Sequence, residues 1–296
     1  MRPTSPSRRR FDFFPYALVL PLVAITCFVF LYPILSAVVL SFRNNYGEFV
    51  GIRNYVRLLN DSSFWFNVKL TLIYVALYSG GVFFVGFVTA LVSNMDWRGQ
   101  KVCNTMMTLP YAIPDVAASL IWMWMFDYQY GVLNSILMRL GVISQPIGWL
   151  ISPSAAMHGV LMATVWRLFP LHSMIILAAL RSVPKELYEA ADIDGANSLQ
   201  SFFYITIPSI KRVLEVLVLL TIVWSFQRFT ILYLLTGGGP AGTTETAVVR
   251  IYRTAFEYFD QSYAYTMGTF VLMVLIVITL VYLWLNKPRE SEGEIA

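Results

Sequence analysis

The sequence predicts an all-α, polytopic membrane protein with six transmembrane helices, on three observations. The chain of 296 residues is 57% hydrophobic and only 13% charged, with a mean hydropathy of +0.64. Residues 13–42, 70–95 and 261–286 contain no Asp, Glu, Lys or Arg, and each run exceeds the roughly 20 apolar residues that span a bilayer. Three further apolar runs, 102–126, 155–180 and 213–236, are marked by Asp115, Arg167 and Arg228 in turn. An ionisable residue inside a span is costly and is a functional candidate for that reason.

Taken in order, the N-terminal "SRRRFDFF" superficially resembles a twin-arginine export signal. The apolar run behind it is too long for a signal core and is read as an uncleaved first span. Lys and Arg concentrate in cytoplasmic loops. With the N-terminus inside, twelve fall inside and six outside, so both termini are expected in the cytoplasm. Residues 1–12 and 287–296 are then tails. Residues 13–286 form the membrane domain, and 181–212 form its large cytoplasmic loop. The outer loops are 43–68, 127–154 and 237–262. The second outer loop reads as a short amphipathic helix followed by a Pro-punctuated turn.

Pro110, Pro114 and Pro170 are expected to kink the third and fourth spans. Trp122, Trp124 and Tyr128 read as an interfacial aromatic belt. His158 and His172 show no ligand-like pairing and read as packing or interfacial residues. Cys27 and Cys103 lie in apolar spans without metal-like spacing and read as small packing residues. "LTGGGPAGTTET" superficially resembles a phosphate-cradling loop but lacks the G-K-[ST] ending of a P-loop, and reads as a turn. No nucleotide-binding motif and no internal repeat is found. The basic residues are spread over loops, so nucleic acid is not an expected partner.

The most polar run between spans is "ELYEAADIDGANSLQSFFYITIPSI", residues 186–210. Pro184 suits the first turn of a helix, where a missing N–H costs nothing. Gly195 is its natural stop, and Asn197 or Ser198 can cap a second helix that ends near Pro208. Leu187, Ala190 and Ala191 share one face. The small alanines admit close approach by another protein, while Glu189, Asp192 and Asp194 keep the remainder wet.

Glu189, Ala190 and Ala191, then three residues to Gly195, nine to Ile205, and Ile207-Pro208 resemble the EAA loop of ABC importer permeases. The family pattern ends in Leu-Pro where this chain has Ile-Pro. "YEAADIDGA", "FVGIRNYVRLLND" followed by "FWFNVKLTLIYV", and "LTGGGPAGTTETAVVRIYRTAF" resemble the carbohydrate branch, of maltose and glycerol 3-phosphate type. The resemblance implies a type I importer permease fold in a bacterial or archaeal cytoplasmic membrane. It implies a permease that hydrolyses nothing itself and holds no cofactor, ATP and Mg being bound by two partner ATPases. The loop would couple to those ATPases through Glu189, Ala190, Ala191, Asp194, Gly195, Ile205 and Pro208. A second, related permease and a soluble solute-binding protein would complete the machine.

Two other classes stand as alternatives. An ion-gradient-driven secondary transporter would carry internal repeats with discontinuous helices, which the sequence does not display. A membrane-embedded glycosyltransferase would need a second cluster of metal ligands beside the "DID" carboxylates.

Asp115, Arg167, Trp224, Phe226, Gln227 and Arg228 are the candidates for the solute path. Aromatic faces stack on sugar rings, and Gln or Arg can bond hydroxyls or an anionic group. Arg167 lies about 18 Å from the outer end of its span at 1.5 Å per residue, and Arg228 about 12 Å. Asp115 either lines the path or pairs with an Arg to hold helices together. If it neutralises Arg167, Arg228 is left to bind an anionic solute, to snorkel, or to meet an acid of the partner permease.

Overall fold

The computed structural model describes residues 14–286 and is helical throughout, with no named strand among them. The expected tails 1–12 and 287–296 lie outside the described residues. The first span is α1 (Phe14–Thr26), a π-helical turn at Cys27–Leu31, and α2 (Tyr32–Ser41). After α3 (Arg53–Leu59) comes α4 (Ser62–Asn94), which at 33 residues runs to about 50 Å. Then follow α5 (Gln100–Ala112), α6 (Asp115–Met125), α7 (Val132–Arg139) and α8 (Ala156–Arg181). The 181–212 loop supplies α9 (Lys185–Ile193) and α10 (Ser198–Ser201). The chain closes with α11 (Ile207–Phe226), α12 (Thr230–Thr236), α13 (Ala247–Phe256) and α14 (Gln261–Leu285).

Among the described residues, four helices are long and apolar enough to cross a membrane: Leu18–Ser41, Ser62–Asn94, Ala156–Arg181 and Gln261–Leu285. The other two expected spans are not continuous, which corrects the sequence reading. Residues 102–126 are split between α5 and α6 by an extended Ile113-Pro114 pair. The residue before proline is driven out of the helical region and the proline offers no N–H, so a helix ends there. Pro114 therefore breaks its span, whereas Pro110 and Pro170 sit inside α5 and α8. Residues 213–236 are split between α11 and α12 at Gln227, Arg228 and Phe229. The fifth span also carries Glu215, which the sequence reading passes over; its carboxylate lies 3.7 Å from Lys211 Nζ.

The centre of the fold is the parallel pair α4 and α8, the most extensively packed of its helices, with Gly81 beside Val165 and Gly86 beside His172. Gly86 permits this closeness, since a Cβ there would stand 2.7 Å from His172 Cβ. His172 is buried and bridges helices, contacting Leu168 O at 3.2 Å and Thr221 Oγ1 of α11 at 2.7 Å. The packing role expected of it thus has a polar component. Tyr74, Tyr78, Val160 and Leu232 belong to the main core. So does Trp122, ring to ring with Phe126 and Trp166. Trp122 is therefore a core residue rather than part of a belt, while Trp124 and Tyr128 remain exposed. Cys27 is also exposed, so it is not a core packing residue.

Named contacts pin the ends of α4 and α14 to α3. Asp61 caps α4 and Asp260 caps α14. Tyr263 donates to Asp61 at 2.8 Å, and Arg57 donates to Asp260 at 2.7 Å while covering the Tyr263 ring. The amphipathic α7 falls where the second outer loop was expected to hold one. The sequence reading has no counterpart for α13.

Candidate functional site

The two broken spans meet. The half-helix α6 packs on α12, and both pack on α8. This places Asp115, Arg167 and Arg228 together. Asp115 opens α6, where the positive end of the helix dipole favours a carboxylate. Arg228 sits in the unwound segment beyond α11, where the negative end favours a cation. Each charge therefore occupies the helix end of complementary sign. Arg167 projects from the middle of α8.

Asp115 is shared. Arg167 Nε lies 3.3 Å from its Oδ1, and Arg228 Nη1 lies 3.6 Å from its Oδ2. The expectation that pairing with Arg167 would leave Arg228 without a partner in this chain is corrected: one carboxylate serves both. Side-chain exposures are 13% for Arg167, 29% for Asp115 and 24% for Arg228. Both separations exceed the roughly 2.7–2.9 Å of a charge-assisted hydrogen bond. Accordingly, among the described residues, the buried Arg167 Nε and Nη1 and Arg228 Nε have no hydrogen-bond acceptor. The Arg167 guanidinium also stands 5.1 Å from the Tyr111 ring centre, within cation–π range.

Beside this triad is a cavity of about 310 Å³ lined by Tyr111, Leu168, Leu171, Trp224, Gln227 and Arg228. Trp224 and Gln227, three residues apart, share one helix face and reach it together. Phe226 points the other way, into the core with Tyr74 and Leu232. It is therefore a packing residue and leaves the candidate group. Tyr111, Leu168 and Leu171 were not anticipated; Tyr111 lies one helical turn before Asp115, the only signal available for it.

In the 181–212 loop, α9 begins at Lys185, one residue after Pro184. Gly195 adopts φ +80°. Its N–H donates to Asp192 O, and that of Ala196 to Ala191 O, which is the Schellman closure of a helix end. Asn197 then caps α10 in a reciprocal pair with Gln200. The second helix does not end near Pro208. It runs through a π-helical turn, Phe202–Thr206, directly into α11, with Pro208 in the first turn. Tyr188 hydroxyl meets Thr206 Oγ1 at 2.8 Å and ties the loop to that turn. Ile205 packs inward against the cluster of Ala90, Ile176 and Leu217, so it anchors the loop. Glu189, Ala190, Asp194, Gly195 and Pro208 are exposed, and Ala191 is half-buried. Ile193 and Tyr204, exposed by 87% and 81%, leave apolar surface uncovered beside them.

Among the described residues, no group of His, Cys, Asp and Glu is placed to hold a metal ion.

Residues 82–289 match the family described as the binding-protein-dependent transport system inner membrane component. The trehalose/maltose transport system permease protein MalF of Thermococcus litoralis is 31% identical over 284 residues, covering 93% of this chain and 94% of the relative. The sn-glycerol-3-phosphate transport system permease protein UgpA of Yersinia pestis is 34% identical over 287 residues, 94% and 96% of the two chains. The sulfoquinovosyl glycerol transport system permease protein SmoG of Agrobacterium fabrum is 30% identical over 279 residues, 92% and 90%. A chain of a bacterial ABC transporter that imports the acidic polysaccharide alginate superposes with a TM-score of 0.84 at 24% identity, covering 93% of this chain and 95% of that one. The fold is thus that of an ABC importer permease, and the discontinuous helices do not point to an ion-driven carrier. The chain belongs to the family of inner-membrane components of binding-protein-dependent transport systems and is a transport subunit, not an enzyme.

Proposed function

We infer that the chain is one of two permeases in an ATP-driven importer and passes a sugar or sugar-like solute through the cavity beside Arg228. The observation that carries this reading is the meeting of two broken spans at a cavity walled by aromatic, amide and guanidinium groups. Trp224 and Tyr111 offer faces to a sugar ring, and Gln227 offers both a donor and an acceptor to its hydroxyls. The solutes in the relatives' names include trehalose and maltose, glycerol 3-phosphate and an acidic polysaccharide. Broken helices at a solute site satisfy their freed backbone groups where the chain lines a cavity.

The same reading assigns the rest of the surface. Residues 181–212 dock a cytoplasmic ATPase through α9 and the exposed Glu189, Ala190 and Gly195, with Ile205 and Pro208 holding the loop to α11. The ATPases carry ATP and Mg. The outer loops 43–68, 127–154 and 237–262 face the solute-binding protein. One permease in complex with a pentasaccharide-bound periplasmic protein superposes with a TM-score of 0.83, which supports that partner. The first span is exposed from Leu18 to Leu35, as suits contact with lipid and a second permease. Both termini then lie in the cytoplasm of a bacterium or archaeon.

The test is reconstitution with the partner permease, two ATPases and the binding protein in liposomes. ATP-dependent uptake should fall at least ten-fold in Trp224→Ala and Gln227→Ala, with the binding protein's solute affinity unchanged. Wild-type uptake in both variants would remove the cavity from the path.

A further inference from the structure

We propose that this cavity selects a solute bearing one anionic group, a carboxylate, sulfonate or phosphate, held by Arg228 with Arg167 behind it. The proposal rests on the reading of the cavity as the translocation path.

The argument begins with charge balance. Among the described residues, Asp115 is the one carboxylate within 4 Å of either guanidinium. Two arginines against one aspartate leave one positive charge in the wall. A buried Lys or His would release its proton to escape that cost, but a guanidinium cannot. The excess charge is therefore present at every working pH. The helix ends do not remove it, because the positive end of α6 and the negative end of α11 oppose one another at this point.

Geometry points the same way. A structural ion pair closes into a bidentate, hydrogen-bonded fork. Here the carboxylate is split between two partners at 3.3 and 3.6 Å, and the buried Arg228 Nε finds no acceptor among the described residues. Asp115 thus holds both guanidinia in place without consuming their donors. Arg228 lines the cavity while Arg167 stands behind Tyr111. An anionic oxygen entering beside Arg228 would find a directed donor and a second cation nearby, with Trp224, Tyr111 and Gln227 left for the neutral body of the solute. At about 310 Å³ the cavity is at the small end of ligand sites, which suits one ring and one charged group.

The rival source of neutralisation is a carboxylate of the partner permease, and matched probes separate the two. The full complex of both permeases and both ATPases, in nanodiscs and without binding protein, is titrated with glucose, glucuronate and glucose 6-phosphate. The acidic sugars should bind at least ten-fold more tightly than glucose. Arg228→Lys should keep most of that preference, and Arg228→Gln should reduce it to the level of glucose. Equal binding of all three by the wild type overturns the proposal, as does an undiminished preference in Arg228→Gln. ATP-driven uptake of glucose 6-phosphate at equal rates by wild type and Arg228→Gln overturns the charge assignment while leaving the importer reading standing. An acidic preference in a complex that shows no ATP-driven uptake has the reverse meaning.

Discussion

Arg228 Nη1 lies 3.6 Å from Asp115 Oδ2, and the two residues come from two different broken spans. The contact joins the unwound end of α11 to the first residue of α6, so the charges also fix how the half-helices sit. Removing the carboxylate would leave two guanidinia facing each other.

Asp115→Asn should therefore destabilise the assembled complex. Removing one partner of a buried ion pair costs about 3–5 kcal/mol, and the 29% exposure of Asp115 places this case at the lower end. Melting of the purified complex measures it. The double variant Asp115→Asn, Arg167→Gln should lose less than the sum of the single variants, because neighbours in one network are coupled. An Asp115→Asn complex that melts with the wild type would show that the triad does not hold the breaks.

Gly195→Val should uncouple transport from hydrolysis. The position has φ +80°, where a β-branched side chain is a strained outlier. The Schellman closure through Asp192 and Ala191 would be lost, and with it the exit angle from α9 to α10. The membrane helices should still assemble, uptake should fall, and basal ATPase activity should no longer respond to loaded binding protein. Gly195→Asn should retain part of the response, since Asn tolerates the left-handed conformation. Normal stimulation in Gly195→Val would detach this turn from coupling.

The helix ends within the 181–212 loop were legible at Pro184, Gly195 and Asn197, because these residues act through local rules of helix start and stop. The three membrane charges were equally legible, since each is conspicuous in an apolar run. The breaks were not. Pro114 allows a kink or a break, and tertiary packing decides between them. The break at Gln227–Phe229 contains neither Pro nor Gly, so Arg228 itself is its only mark. Two side-chain errors have one cause: residues two apart on a helix face different ways. Trp224 reaches the cavity and Phe226 the core; Trp122 reaches the core and Trp124 the outside.

Gly86→Leu should separate α4 from α8. Even a Cβ at this position would stand 2.7 Å from His172 Cβ and 3.3 Å from Phe169 O, and backbone cannot yield as a flexible side-chain tip can. The shift would also pull His172 from Thr221, leaving a buried polar pair unsatisfied at about 1–3 kcal/mol. We expect poor assembly and a lower melting temperature, while Gly80→Leu, with open space around its Cβ, should be tolerated. Equal stability of the two variants would refute close packing at Gly86.

The last prediction concerns Arg253, which lies in the outer loop 237–262 proposed to face the binding protein. In the structure it is turned inward. Arg253 Nη1 lies 3.1 Å from Glu245 Oε1, and Arg253 Nε lies 2.7 Å from Glu257 Oε2. Glu245 is buried, and Asn67 of α4 donates to its backbone carbonyl at 2.6 Å. Arg250 approaches the same carboxylate at 3.9 Å. The network therefore fastens α13 to the long second span. Arg253→Glu would bring a third carboxylate against Glu245 and Glu257, and amide exchange across residues 247–256 should quicken at least ten-fold. The wild type should show a related pH dependence. Arg253 donates to Glu257 and holds its carboxyl below the usual value, so the folded value lies below the unfolded one. The contribution is fully present above the ordinary glutamate value of about 4.3 and is lost as pH falls through the lower folded value. Protection of α13 should decline over that acidic window. If Arg253→Glu leaves exchange unchanged and weakens only binding-protein affinity, Arg253 returns to the docking surface.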